Sequence, residues 1–207
     1  MLRRDAIDSD RGDTLIETMI VMIIFTLILG IVSTAIITMM KQVDKQSGLA
    51  DNLGNARKTI ETLDNQVRFA NAISTPGTSA SGDLYVEFQS LATNVTNQPQ
   101  VCTQWRYHAA NSTLQYRTWQ VPTTLPATVT PTGWITEAAG ISAQAGTPIF
   151  GLDQSAGTAP HQSLDVTMVT SNGNPPNSST SQVTITAINS LASNSTNSTV
   201  CQQAGRP

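Results

Sequence analysis

From residue 18 to residue 40 the chain runs 23 positions without a charge, and Glu17 stands at the head of that run. As a helix the run would measure about 34 Å, enough for the hydrocarbon core of a bilayer. A carboxylate at the rim of such a span costs about 2.5 to 3.5 kcal/mol if it enters hydrocarbon ionised and alone. A partner for Glu17 is therefore expected, and the partner bears on function.

Arg3, Arg4 and Arg11 precede the run and place the N-terminal flank on the cytoplasmic side, with the remainder outside. An ordinary signal anchor or a cleaved signal would carry the same arginines. The run is longer than a normal signal core, however, and no clean Ala-x-Ala site follows it. Neither account gives Gly12 or Glu17 a role.

Gly12-Asp13-Thr14-Leu15-Ile16-Glu17 followed by the apolar run resembles the N-terminus of the type IV prepilin family, over about the first 30 to 60 residues. The resemblance implies that a prepilin peptidase cuts after Gly12 and that Asp13 becomes the new, N-methylated first residue. It implies that Glu17, then the fifth residue, pairs with the amino terminus of a neighbouring subunit as a filament assembles. An ammonium and a carboxylate desolvated together offset each other's burial penalty, which neither does alone. Asp13 departs from the apolar residue usual after the cleaved glycine; its carboxylate would sit beside the new amine or cap the helix. The partners implied are other pilin or pseudopilin subunits, the peptidase, the membrane before assembly, and the assembly platform of a pilus or type II secretion system. Pilus, secretion and DNA-uptake systems share this chemistry, so the N-terminus does not choose among them. An alternative of another class is a single-pass, membrane-anchored adhesive or binding protein that does not polymerise.

Outside a leader and a span, about 130 to 165 residues remain, enough for one small domain. The formal charge is −3, so no basic field exists to draw nucleic acid, and DNA is not an expected partner. Beyond Ala70 charges are sparse, namely Asp83, Glu87, Arg106, Arg117, Glu137, Asp153, Asp165 and Arg206. The two cysteines, Cys102 and Cys201, fall on the oxidising side of the expected topology, where a disulfide is the natural inference and two free thiols the alternative. Such a bridge would tie down the C-terminal tail.

After residue 40, Leu49, Leu53, Ala56, Ile60, Leu63, Val67 and Ala70 recur at steps of four and three, which predicts an amphipathic continuation of the helix. Ser74-Thr75-Pro76-Gly77 is its stop signal. The stripe is short for a coiled coil and lacks an e/g charge code, so packing on the chain's own sheet is expected. Leu84 to Phe88 alternates as a strand. Residues 101–108 and 113–121 flank Ala109-Ala110-Asn111-Ser112 as a hairpin at the heart of a sheet, with Trp105 and Tyr107 opposite Leu114 and Tyr116. This strand pair and residues 63–70 resemble the larger minor pilins and J-type pseudopilins. Residues 122–133 read as a loop, 134–150 are ambiguous, and strands at 164–170 and 182–188 surround a long turn at 171–177. Residues 190–199 form an Asn/Ser/Thr-rich tail whose two N-x-S/T triplets are explained by composition.

The expected fold class is thus α+β, a type IV pilin-like long N-terminal hydrophobic helix packed on an antiparallel β-sheet. The expected divisions are 1–12 leader, 13–40 membrane or filament-core helix, 41–75 amphipathic helix and 76–207 extracytoplasmic β-rich domain. His108 and His161 lack any spaced ligand cluster, so no metal is expected. No phosphate-binding glycine loop and no nucleophile elbow occur. No enzyme activity and no cofactor are expected; a catalytic reading would need Asp153, His161 and Asp165 to converge. Trp105 is expected in the core and Trp119 at an exposed subunit contact.

Overall fold

The computed structural model describes residues 10–91, 100–122, 128–153, 161–172, 177–191 and 200–207. Residues 1–9 of the expected leader, the tail triplets and most of the expected turn at 171–177 lie outside this set, as do the side chains of residues 10–14. The chain divides into two compact units between Ser47 and Gly48.

In the first unit every described residue belongs to helix α1, Asp10–Val67, which continues into the second. No proline interrupts it. Every large apolar side chain of residues 15–43 is exposed, and the helix is long and apolar enough to cross a membrane by length and composition. Four threonines of its apolar run donate their hydroxyls to the helix itself. Thr18 donates to the Leu15 carbonyl at 3.0 Å, Thr26 to Ile23 at 2.9 Å, Thr34 to Ile31 at 2.8 Å and Thr38 to Ala35 at 2.8 Å. Each of these four hydroxyls thereby has an acceptor within the helix.

In the second unit the helical stripe is buried from Ala56 onward, through Thr59, Leu63 and Val67, with Ile60 half-buried. Leu53 remains exposed. The helix closes at Val67 rather than at the expected residue 74. Arg68 still donates its amide to Asp64 O at 2.9 Å and clasps the Asp64 carboxylate at 2.7 Å. Strand β1, Ala70–Ile73, then pairs antiparallel with β3, Leu84–Leu91, which buries Ala70, Ala72 and Ile73. Ladder pairing wins because those three apolar residues fit the pleat as well as a last helical turn. The Ser74 to Gly77 signal instead turns the chain from β1 into β2, Gly77–Thr78, which also lies on β3.

The hairpin forms in the expected register. β4 spans Gln100–His108 and β5 spans Thr113–Gln120, with Trp105 opposite Tyr116 and Tyr107 opposite Leu114. A single 3-10 turn, Ala109–Asn111, and a left-handed Ser112 join them. With β6, Ile135–Ala139, the order is β1-β3-β4-β5-β6, so the hairpin is central. One face of this sheet carries Val86, Phe88, Trp105 and Leu114 into a core shared with Leu63 and Val67. Trp105 stacks on Tyr116 at 5.1 Å between centroids and donates its indole N–H to Gln66 at 2.8 Å. By strand alternation the other face bears Tyr85, Glu87, Gln104, Arg106, Arg117 and Trp119.

A second antiparallel sheet, not separately foreseen, comprises β7, Ile141–Ser142; β8, Phe150–Asp153; β9, Ser163–Asn172; and β10, Asn177–Thr186. β9 is paired by β10 on one side and by β7 and β8 on the other. The ambiguous stretch 134–150 supplies β6, β7 and the start of β8. β9 and β10 pair out to Asn172 and Asn177, which shortens the expected turn. Leu164, Val166, Met168 and Ile185 join the common core. The molecule is α+β, with a long N-terminal helix and antiparallel sheets.

Candidate functional site

Of the N-terminal residues singled out, Gly12 and Asp13 lie within α1, with side chains outside the described set. Glu17 lies on the same helix, exposed and followed by exposed apolar neighbours from Met19 to Phe25. No ion pair between described residues involves Glu17. The segment therefore presents one carboxylate at the start of a surface that is otherwise greasy.

The second concentration of chemistry is the polar face of the hairpin sheet. Cys102 of β4 and Cys201 are joined by a disulfide, Cα to Cα 5.6 Å and 99 residues apart in sequence. This brings residues 201–207 across that face as a strap. Arg206 is its anchor: Nη2 meets Glu87 Oε2 at 2.5 Å and Nε meets Oε1 at 2.8 Å. The Glu87 side chain is only 2% exposed and also accepts from Ser74 Oγ at 2.5 Å and Gln104 Nε2 at 2.8 Å. These bonds hold the Arg206 guanidinium above its ordinary value, against the opposing effect of burial. Arg117 donates to Gln104 Oε1 at 2.7 Å and to the carbonyls of Ala204 and Gly205 at 3.3 and 3.2 Å. Burial, helped by repulsion from Arg106, pulls Arg117 below its ordinary value although Tyr85 and Glu87 oppose the shift.

At the end of the same face Asp83 is buried. Burial alone would raise its carboxyl, but the Ala109 amide at 2.9 Å, the His108 ring at 2.8 Å and Arg106 at 3.9 Å together hold it below the usual carboxylate range. Trp134 lies under two guanidinium groups, Arg106 at 3.9 Å and Arg117 at 4.4 Å from the ring centroid.

The structure overturns the expected exposure of Trp119. It is 4% exposed and packs with Cys102, Cys201, Val121 and Val129, because the bridge lays the strap segment over it. His161 Nδ1 bonds the Ser190 carbonyl at 2.7 Å and Asp165 accepts from Thr184 at 2.5 Å, while Asp153 sits opposite Ser163 in the β8–β9 ladder. Among the described residues no group of three or more His, Cys, Asp or Glu side chains is placed to hold a metal.

The sequence did not reveal the Glu87–Arg206 and Asp83–His108 pairs. A weak signal was present: in so uncharged a domain, a lone carboxylate inside an alternating strand needs a buried partner. Comparison of the chain with protein-family models, curated proteins and solved structures finds no match.

Proposed function

We propose that the chain is a minor pilin or pseudopilin, a structural subunit of a type IV pilus-like filament, processed after Gly12 and assembled through α1. The observation that carries this reading is a single helix whose apolar surface is exposed along residues 15–43, with Glu17 as its lone carboxylate near the start. Such a surface is stable in lipid or against identical helices, not in water. A carboxylate there gains most from a cation delivered by a neighbour, and the amine freed by cleavage before Asp13 would be that cation. The β-rich unit, tied by its disulfide, would then face outward, with the prepilin peptidase and assembly platform as earlier partners.

N-terminal sequencing of the mature membrane-extracted protein tests the processing step. A terminus at Asp13, methylated or not, is expected; a retained Met1 would favour the non-polymerising anchor. Glu17→Ala is expected to leave membrane insertion intact and reduce incorporation into filaments, measured in sheared filament fractions. Normal incorporation would refute the pairing role.

A further inference from the structure

Between the apolar run and its first buried turn, α1 crosses a stretch that the described residues do little to hold. Every described residue from Lys41 to Asn55 is exposed, with Gly48 alone intermediate, and burial begins only at Ala56. No described side chain of residues 41–54 makes a hydrogen bond or an ion pair. Before this stretch the threonine hydroxyls are fastened to the helix as far as Thr38. After it, Arg57 pairs with Glu61 at 3.0 Å, Thr59 donates to Asn55 O at 2.8 Å, and Lys58 and Thr62 both reach Glu137 of β6, at 3.4 and 3.2 Å.

Gly48 and Gly54 fall in this stretch, and a methyl group added to either would meet nothing within 4 Å. Neither glycine is required by a close approach or by a positive φ. Glycine favours the open chain over the helix about fivefold relative to alanine, so the pair weakens α1 where no packing compensates. A helical stretch of about 12 to 15 residues without tertiary contacts is marginal in water even with better helix formers. The division of the chain into two compact units falls at the same place, between Ser47 and Gly48. We propose that residues 48–54 are a joint in α1: this segment opens transiently while the apolar run before it and the buried turns after it stay helical. Anchoring of the apolar run, by lipid or by another helix, then leaves the β-rich unit its own freedom of motion. The joint rests on exposure and glycine content alone, so it is independent of cleavage after Gly12 and of any partner for Glu17.

Hydrogen exchange followed by mass spectrometry on the full-length chain in detergent micelles tests this, because local opening exposes amides without unfolding the rest. Amides 50–56 should exchange at least about 100-fold faster than amides 60–66. Gly48→Ala together with Gly54→Ala should slow amides 50–56 about 25-fold, about five for each glycine, and leave 60–66 unchanged. Gly30→Ala, inside the apolar run, should change neither set. Urea below the unfolding midpoint should quicken amides 60–66 and leave 50–56 nearly as they were, since only the former wait on exposure of the core. Equal exchange in the two sets, wild-type rates at 50–56 in the double variant, a Gly30→Ala effect as large as that of the double variant, or the same urea response in both sets would overturn the proposal.

Discussion

Asp83 shows how a residue in a sparsely charged domain acquires weight. Its side chain is 3% exposed, and the amide, imidazole and guanidinium around it favour the ionised form over the neutral one. Because its folded pKa lies below the unfolded one, its contribution to stability is complete above the unfolded value of about 3.9 and is lost as pH falls through the folded value. Urea titrations between pH 6 and pH 2.5 should therefore show the wild type losing stability below about pH 4. Asp83→Asn, which keeps the shape and an acceptor oxygen, should lose less over that interval while starting lower at pH 6. An unchanged acid limb in the variant would show that Asp83 is not the group responsible.

At the scale of elements, the helical stripe and the hairpin explain most of what the sequence made legible. Leu63 is fully buried between α1 and the hairpin sheet, so Leu63→Ala should cost about 2 to 5 kcal/mol, read from the urea midpoint of the detergent-solubilised chain. Leu53→Ala, three stripe positions earlier and exposed, should change it by less than about 0.5 kcal/mol. Periodicity pointed to both residues equally; only packing separates them. The hairpin was legible because its aromatic residues alternate and its turn is short, so pattern and register agree. The end of α1 was not. Ala70 continues the helical spacing and also begins a strand, and the choice belongs to β3, which lies 14 residues further on. The second sheet was half legible: Ser- and Thr-rich strands carry the pleat without an apolar contrast to mark their limits. The disulfide was legible because its two cysteines, Cys102 and Cys201, stand alone in the sequence. The site was illegible where two charges 119 residues apart meet, as Glu87 and Arg206 do.

For the molecule as a whole, the disulfide decides how much of the chain is fixed. It closes a loop of 99 residues, for which the chain-entropy model gives about 4 to 5 kcal/mol. Cys102→Ser together with Cys201→Ser should lower the stability of the β-rich unit by that order, with Trp119 fluorescence shifting to the red as its cover loosens. A loss below about 1 kcal/mol would mean that the Arg206 anchor holds the strap unaided. The first unit obeys a different rule. Of its threonines, Thr18, Thr26, Thr34 and Thr38 donate their hydroxyls to carbonyls of their own rod, so those donors are already engaged when an identical rod approaches. Two such rods could spin or glide past one another with no threonine donor to release, and in the filament proposed above Glu17 is the group that would set where gliding stops.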